Sequence, residues 1–115
     1  MIFYYFQDQR WRLNGNLLIN KAGKWRSNSG WQLPPEGSAG YIINLNTNMS
    51  LDIVNRKEVI EEYLHNTPRQ NWNIGKADRE GYFTITNPAS GKVLTANSKD
   101  RLTIEGIIIK IVFNK

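Results

Sequence analysis

The chain has 115 residues, enough for one hydrophobic core and too few for two, so a single domain over residues 1–115 is expected. It contains no cysteine, which excludes a disulfide framework, a thiolate metal site and a cysteine nucleophile. Fifteen Lys and Arg against ten Asp and Glu give a net charge of +5, and the basic residues are dispersed, which argues for a solvated surface over a nucleic-acid face.

The opening MIFYYFQDQRW has no basic start, no continuous apolar stretch and no small-residue cleavage site, so it does not read as a secretory signal. Nor does the chain contain the roughly 18 apolar residues in a row that a membrane helix needs. A soluble domain, cytoplasmic by default, is the expectation. Short apolar or alternating runs recur between Gly, Pro, Asn, Asp and Ser, with almost no helical periodicity. In chain order they predict strands at about 2–6, 9–13, 16–20, 24–27, 31–33, 41–45, 51–54, 59–64, 70–74, 82–87, 92–96, 101–105 and 107–113. Asn14-Gly15, Ser27-Asn28-Ser29-Gly30, Pro34-Pro35-Glu36-Gly37, Asn46-Thr47-Asn48 and Ser90-Gly91 supply the turns. The predicted class is all-β.

The stretch RKEVIEEYL, residues 56 to 64, has a composition that also suits a helix. Its short length, its β-branched Val59-Ile60 pair and its place between strand signals make it a strand. The apolar end IEGIIIKIVFNK would be an aggregation hazard on an open edge, and is expected to close the barrel beside the N-terminal strand.

The chain also repeats itself. Residues 9–24 and 70–92 match at Gln9/Gln70, Trp11/Trp72, Leu13/Ile74, Gly15/Gly81, Leu17/Phe83, Asn20/Asn87, Gly23/Gly91 and Lys24/Lys92. A third copy keeps Trp31, Leu33, Gly40-Tyr41, Ile43 and Leu51, with Ser29 where the glutamine would stand. Tyr41 and Tyr82 follow Trp31 and Trp72 at the same distance. A second alignment starts the repeats near residues 1, 41 and 82, makes IFYYF the first strand, and gives up Gln9-Arg10-Trp11 as a signature. Either one implies pseudo-threefold symmetry.

With QRW, QNW, TNPASGKVLTA (86–96) and LNTNMSLDI (45–53), the chain resembles the ricin B-type (R-type) β-trefoil lectins with Gln-x-Trp repeats over nearly its whole length. The resemblance implies a β-trefoil of about twelve strands in three pseudo-symmetric repeats. The first repeat is shortened, because little chain separates Lys24 from Trp31.

Alternation along QNWNI puts Gln70, Trp72 and Ile74 on one face, and the bulk of an indole places that face inside. The resemblance implies that each glutamine braces the tryptophan of its repeat by hydrogen bonds. Truncating Trp11 or Trp72 to Ala is expected to cost roughly 3–5 kcal/mol. An unchanged thermal midpoint for Trp72→Ala would overturn the core placement.

Family sugar sites join an Asp of the Leu-Asp element, a stacking aromatic and an Asn near Gln-x-Trp, which suits a ring with an apolar face and a hydroxyl rim. The middle repeat offers Asp52, Tyr63, His65, Asn66 and Gln70, but Arg69 stands where sugar-binding relatives commonly carry Asn. The last repeat has Thr95 at the Asp position, and the first has no acid. The alternatives are that Asp52 stabilises a turn and that Tyr63 is a half-buried strand aromatic.

His65 is the only histidine, so no histidine-based metal cluster is expected, and no cofactor. No spacing supports a hydrolytic triad, and Glu58, Glu61 and Glu62 read as a solvated strand face. The leading expectation is a non-enzymatic carbohydrate-binding module with a weak site on the middle repeat for a galactose-type sugar. The alternative is a degenerate trefoil that binds a protein partner or serves as structure; a third possibility is polyanion binding through dispersed Lys and Arg.

Overall fold

The computed structural model describes residues 2–6, 9–22, 26–98, 101–106 and 109–113. Among them are β1 (Ile2–Phe6), β2 (Trp11–Asn14), β3 (Leu17–Asn20), β4 (Arg26–Gln32), β5 (Ala39–Gly40), β6 (Ile43–Asn44), β7 (Ser50–Val54), β8 (Glu58–Glu62), β9 (Trp72–Ile74), β10 (Ile85–Asn87), β11 (Lys92–Ser98), β12 (Arg101–Glu105) and β13 (Ile109–Phe113). One 3-10 turn, Pro68–Gln70, interrupts them. Gly23 and Lys24, matched in the repeat comparison, lie outside the described residues. The fold is all-β, as the alternation predicts, and the Glu-rich stretch is strand: β8 buries Val59 and exposes Ile60.

Three backbone pairings around the tryptophans form a ring. The Trp11 N–H donates to Phe83 O at 2.8 Å, the Trp31 N–H donates to Asn16 O at 2.8 Å, and Trp72 lies opposite Gly40 in the β5–β9 ladder. Each tryptophan thus pairs with the segment that follows the tryptophan of the preceding repeat, and the last repeat returns to the first. The alignment that includes Gln9-Arg10-Trp11 is the one this ring follows. Counted from the paired residues, Leu18, Ile42 and Ile85 are equivalent and all fully buried. So are Asn20, Asn44 and Asn87, each buried.

This register corrects two of the matches above. Phe83 corresponds to Asn16, not Leu17, and to Gly40, so Tyr82 and Tyr41 are not equivalent. The last repeat takes up its extra residues in a turn where Asp78 N–H donates to Tyr82 O (2.8 Å) and Gly81 N–H to Asp78 O (3.0 Å). Equal spacing from tryptophan to tyrosine is therefore a coincidence of side chains.

Position-specific chemistry shows in the buried asparagines. Lys21 N–H donates to Arg10 O and Leu45 N–H donates to Gly30 O, both at 2.9 Å. The corresponding residue of the last repeat is Pro88, which has no N–H. There the Asn87 side-chain amide donates to Asn71 O at 2.9 Å and satisfies the carbonyl instead.

The middle and last repeats each add a hairpin, β7–β8 and β11–β12, and the two hairpins are joined where Leu102 pairs with Val59. Among the described residues the first repeat has no such hairpin, and β3 pairs with β4. It is the shortened repeat. β13 does pair antiparallel with β1, Ile2 opposite Phe113, but the two form a separate ribbon, not hydrogen-bonded into the eleven-stranded sheet that holds the core.

Candidate functional site

Asp52 lies on the outward face of β7, opposite Ile60 of β8, yet it is 2% exposed. The Pro68–Gln70 turn covers it, and a proline at the first position pre-sets that turn. Gln70 Nε2 donates to Asp52 Oδ2 (3.2 Å) and to Tyr63 O (2.6 Å), while Gln70 Oε1 accepts the His65 N–H (2.8 Å). Gln70 therefore ties the carboxylate to the connection after β8. It does not brace Trp72 by a hydrogen bond: the Trp72 indole N–H donates to Leu51 O at 3.0 Å. The expected role is corrected accordingly, because the Gln70 amide is taken up by Asp52 and the 63–65 backbone and the indole N–H by Leu51 O.

The other Asp52 oxygen is different. Arg69 Nε stands 3.3 Å from Oδ1, but its N–H is not directed at that oxygen, which is buried and accepts no hydrogen bond. Asp52 thus has an ion pair and an unsatisfied acceptor at the same atom. A carboxylate oxygen out of water without a donor is costly, and a ligand hydroxyl is one group that would satisfy it. The Arg69 side chain, 61% exposed, lies over it.

Asp52, His65 and Arg69 line a cleft of about 710 Å³ between the middle repeat and the Asn87–Lys92 turn of the last one. That volume is within the range of small-molecule pockets. Asn66 and Gln70 line a second depression of about 390 Å³ with Tyr41. Tyr63 lines neither and is 73% exposed, so it is not the half-buried strand aromatic of the alternative reading. The five residues read from the sequence are thus divided between two hollows and open surface. His65, whose Nε2 is 4.0 Å from Glu62, is the ring that lines the larger cleft.

Two further cations line the cleft that the sequence did not bring forward, Arg56 and Lys92. Arg56 lies at the tip of the β7–β8 hairpin at φ +64°, a left-handed conformation that a long side chain seldom adopts. The pairing of an Asn-x-x-Ser-Gly-Lys turn with the Leu-Asp strand of the preceding repeat was the missing signal, because only the ring order shows that those two segments meet. Among the described residues there is no group of three or more His, Asp or Glu placed to hold a metal ion. Among the described residues no helix is long and apolar enough to cross a membrane.

The sequence model of one family, described as Ricin-type beta-trefoil lectin domain-like, matches residues 7–103. No curated protein and no solved structure matches the chain.

Proposed function

The chain belongs to the Ricin-type beta-trefoil lectin domain-like family, and from that premise we propose that it is a non-enzymatic, single-domain carbohydrate-binding module whose site is the cleft at Asp52. The observation that carries the reading is the Asp52 Oδ1 atom, a buried acceptor with no hydrogen-bond donor. Sugar hydroxyls are donors of the kind that this oxygen lacks. The cleft adds the His65 ring and the Asn87–Lys92 turn to contact the sugar's faces.

Arg69 occupies the approach. The pair joins an exposed Arg69 side chain to a buried Asp52 carboxylate, so swinging Arg69 aside carries a cost that the new hydroxyl–carboxylate bond has to offset. That cost makes the site weak for a neutral sugar such as galactose. Tyr63 and Asn66, outside this cleft, contribute only where a longer glycan extends beyond it.

Titration calorimetry with galactose and lactose, alongside a glycan array, tests the reading. Binding that is abolished in Asp52→Asn and strengthened in Arg69→Ala supports it. Glycan binding that survives Asp52→Asn moves the site elsewhere, and silence across the array with a folded protein sinks the function. A protein-interaction role is favoured by one observation, the exposure of Ile60 (43%), Tyr63 (73%) and Leu64 (47%) in a short stretch. That reading predicts a partner whose binding is lost in Tyr63→Ala and untouched in Asp52→Asn.

A further inference from the structure

Resting on the carbohydrate-binding reading, we infer that the cleft is built for a sugar bearing an anionic group, a sulfate ester or a carboxylate, and that Arg56 and Lys92 receive that group.

The charges around the cleft are unevenly spent. Asp52 is matched by Arg69 at 3.3 Å, and Glu62 faces His65 at 4.0 Å. Arg56 and Lys92 line the same cleft and have no acidic partner among the described residues. Several cations outside the cleft are held by partners. Lys57 pairs with Glu105 at 3.3 Å, Arg101 pairs with Glu58 at 2.9 Å, Arg10 pairs with Asp78, and Arg12 lies 4.9 Å from the Tyr82 ring centre. Arg56, Arg69 and Lys92 against Asp52 and Glu62 leave the walls of this one cleft with an excess of positive charge, which attracts an anion.

Arg56 carries a second mark. Asn55 and Arg56 both adopt positive φ, +51° and +64°, at the hairpin tip. Asn tolerates that region, and Gly would suit the second place better than Arg. Holding an arginine there costs backbone strain and returns no side-chain hydrogen bond or ion pair among the described residues. A guanidinium presented to a ligand is a return of the right kind, since it binds sulfate or carboxylate in a two-pronged geometry.

The division of labour follows from chemistry. The anionic group meets Arg56 and Lys92, Arg69 exchanges its Asp52 contact for the ligand's charge, and the hydroxyl rim meets the Asp52 Oδ1 that Arg69 leaves. A neutral sugar supplies only the hydroxyl part of this arrangement.

The full chain is titrated with galactose 6-sulfate, N-acetylneuraminic acid, galactose and inorganic sulfate. Wild type and the variants Arg56→Gly and Lys92→Ala are compared at low and high salt. The expected result is that one of the two anionic sugars binds at least about tenfold tighter than galactose, with a preference that shrinks as salt is raised. Which of them binds separates a sulfate site from a carboxylate site.

Arg56→Gly is expected to lose that preference while its thermal midpoint stays level or rises, because relief of the left-handed arginine stabilises the hairpin. A purely structural arginine would show the opposite, a change in stability with no change in affinity. Equal affinity for galactose and both charged sugars, abolished by Asp52→Asn, overturns this inference and leaves the carbohydrate reading intact. Inorganic sulfate binding as tightly as the sulfated sugar overturns the sugar selectivity claimed here, and absence of binding to every saccharide overturns both readings.

Discussion

The first repeat and the two that follow it share a ring but not a hairpin, and the fate of the three repeat tryptophans, Trp11, Trp31 and Trp72, follows from that difference. The Trp72 indole N–H donates to Leu51 O at 3.0 Å, and the Trp11 indole N–H donates to Leu94 O at 3.1 Å. Leu51 and Leu94 occupy the same place on β7 and β11, each the start of a hairpin in the repeat before the tryptophan it serves. The repeat before Trp31 is the shortened one. Its missing hairpin takes the acceptor with it, and Trp31 Nε1 is buried without a partner. Deleting a hairpin thus left the ring intact and removed one hydrogen bond from the core.

The glutamines carry a second contrast, between the two repeats that have hairpins, and give the larger effect. Gln70 makes three hydrogen bonds, to Asp52, Tyr63 and His65, and is 1% exposed. Gln9, its counterpart, is 7% exposed, and its Nε2 has no acceptor. Thr95 stands where an aspartate would receive it, and the Thr95 hydroxyl donates to Val93 O at 3.1 Å. Gln70→Ala strands a backbone N–H and a carboxylate oxygen and is expected to cost about 1–3 kcal/mol, whereas Gln9→Ala is expected to cost clearly less. Urea unfolding of both variants measures the gap, and equal midpoints would break the comparison.

Much of this was legible in the residues. The three repeat tryptophans, the equivalence of Asn20 and Asn87 and the shortened first repeat all follow from patterns within each repeat, and so does the strand at Glu58–Glu62. Less legible was whatever depends on contact between repeats. Gln70 braces a connection seven residues back rather than the tryptophan two residues on, and Arg69 is a cover on Asp52 rather than only a missing asparagine. Arg56 and Lys92 meet across one cleft although 36 residues separate them in the chain. The one-residue error at Phe83 arose because spacing cannot show that the Asp78 turn absorbs extra chain.

Exchanging each tryptophan for phenylalanine sharpens the comparison with a smaller effect. The loss of ring volume is common to all three sites, but only Trp11 and Trp72 also lose a hydrogen bond and leave a leucine carbonyl unpaired. Trp31→Phe removes a donor that had no acceptor. The expected difference is about 0.5–1.5 kcal/mol in favour of Trp31→Phe, read from chemical denaturation of the three variants side by side. If Trp31→Phe is the most damaging of the three, its indole has an acceptor and the account of the lost hairpin is wrong.

The smallest effect concerns the seam where the last repeat returns to the first. Asp78 Oδ1 accepts the N–H groups of Tyr82 (3.0 Å) and Glu80 (2.9 Å), and its other oxygen receives Arg10 from the first repeat. The Tyr82 N–H is the main influence holding the Asp78 carboxyl below its ordinary pKa of 3.8; the Glu80 N–H and the charges of Arg10 and Lys21 add to it, against partial desolvation. Since the folded value is the lower one, folding favours the ionised form. The contribution is therefore fully present above the unfolded pKa and is lost as pH falls through the folded value. Asp78→Asn should flatten the acid limb of the stability profile below about pH 4 while changing stability at neutral pH only slightly. An acid limb identical in Asp78→Asn and wild type would mean that the seam is held by the Trp11–Phe83 backbone pair without help from Asp78.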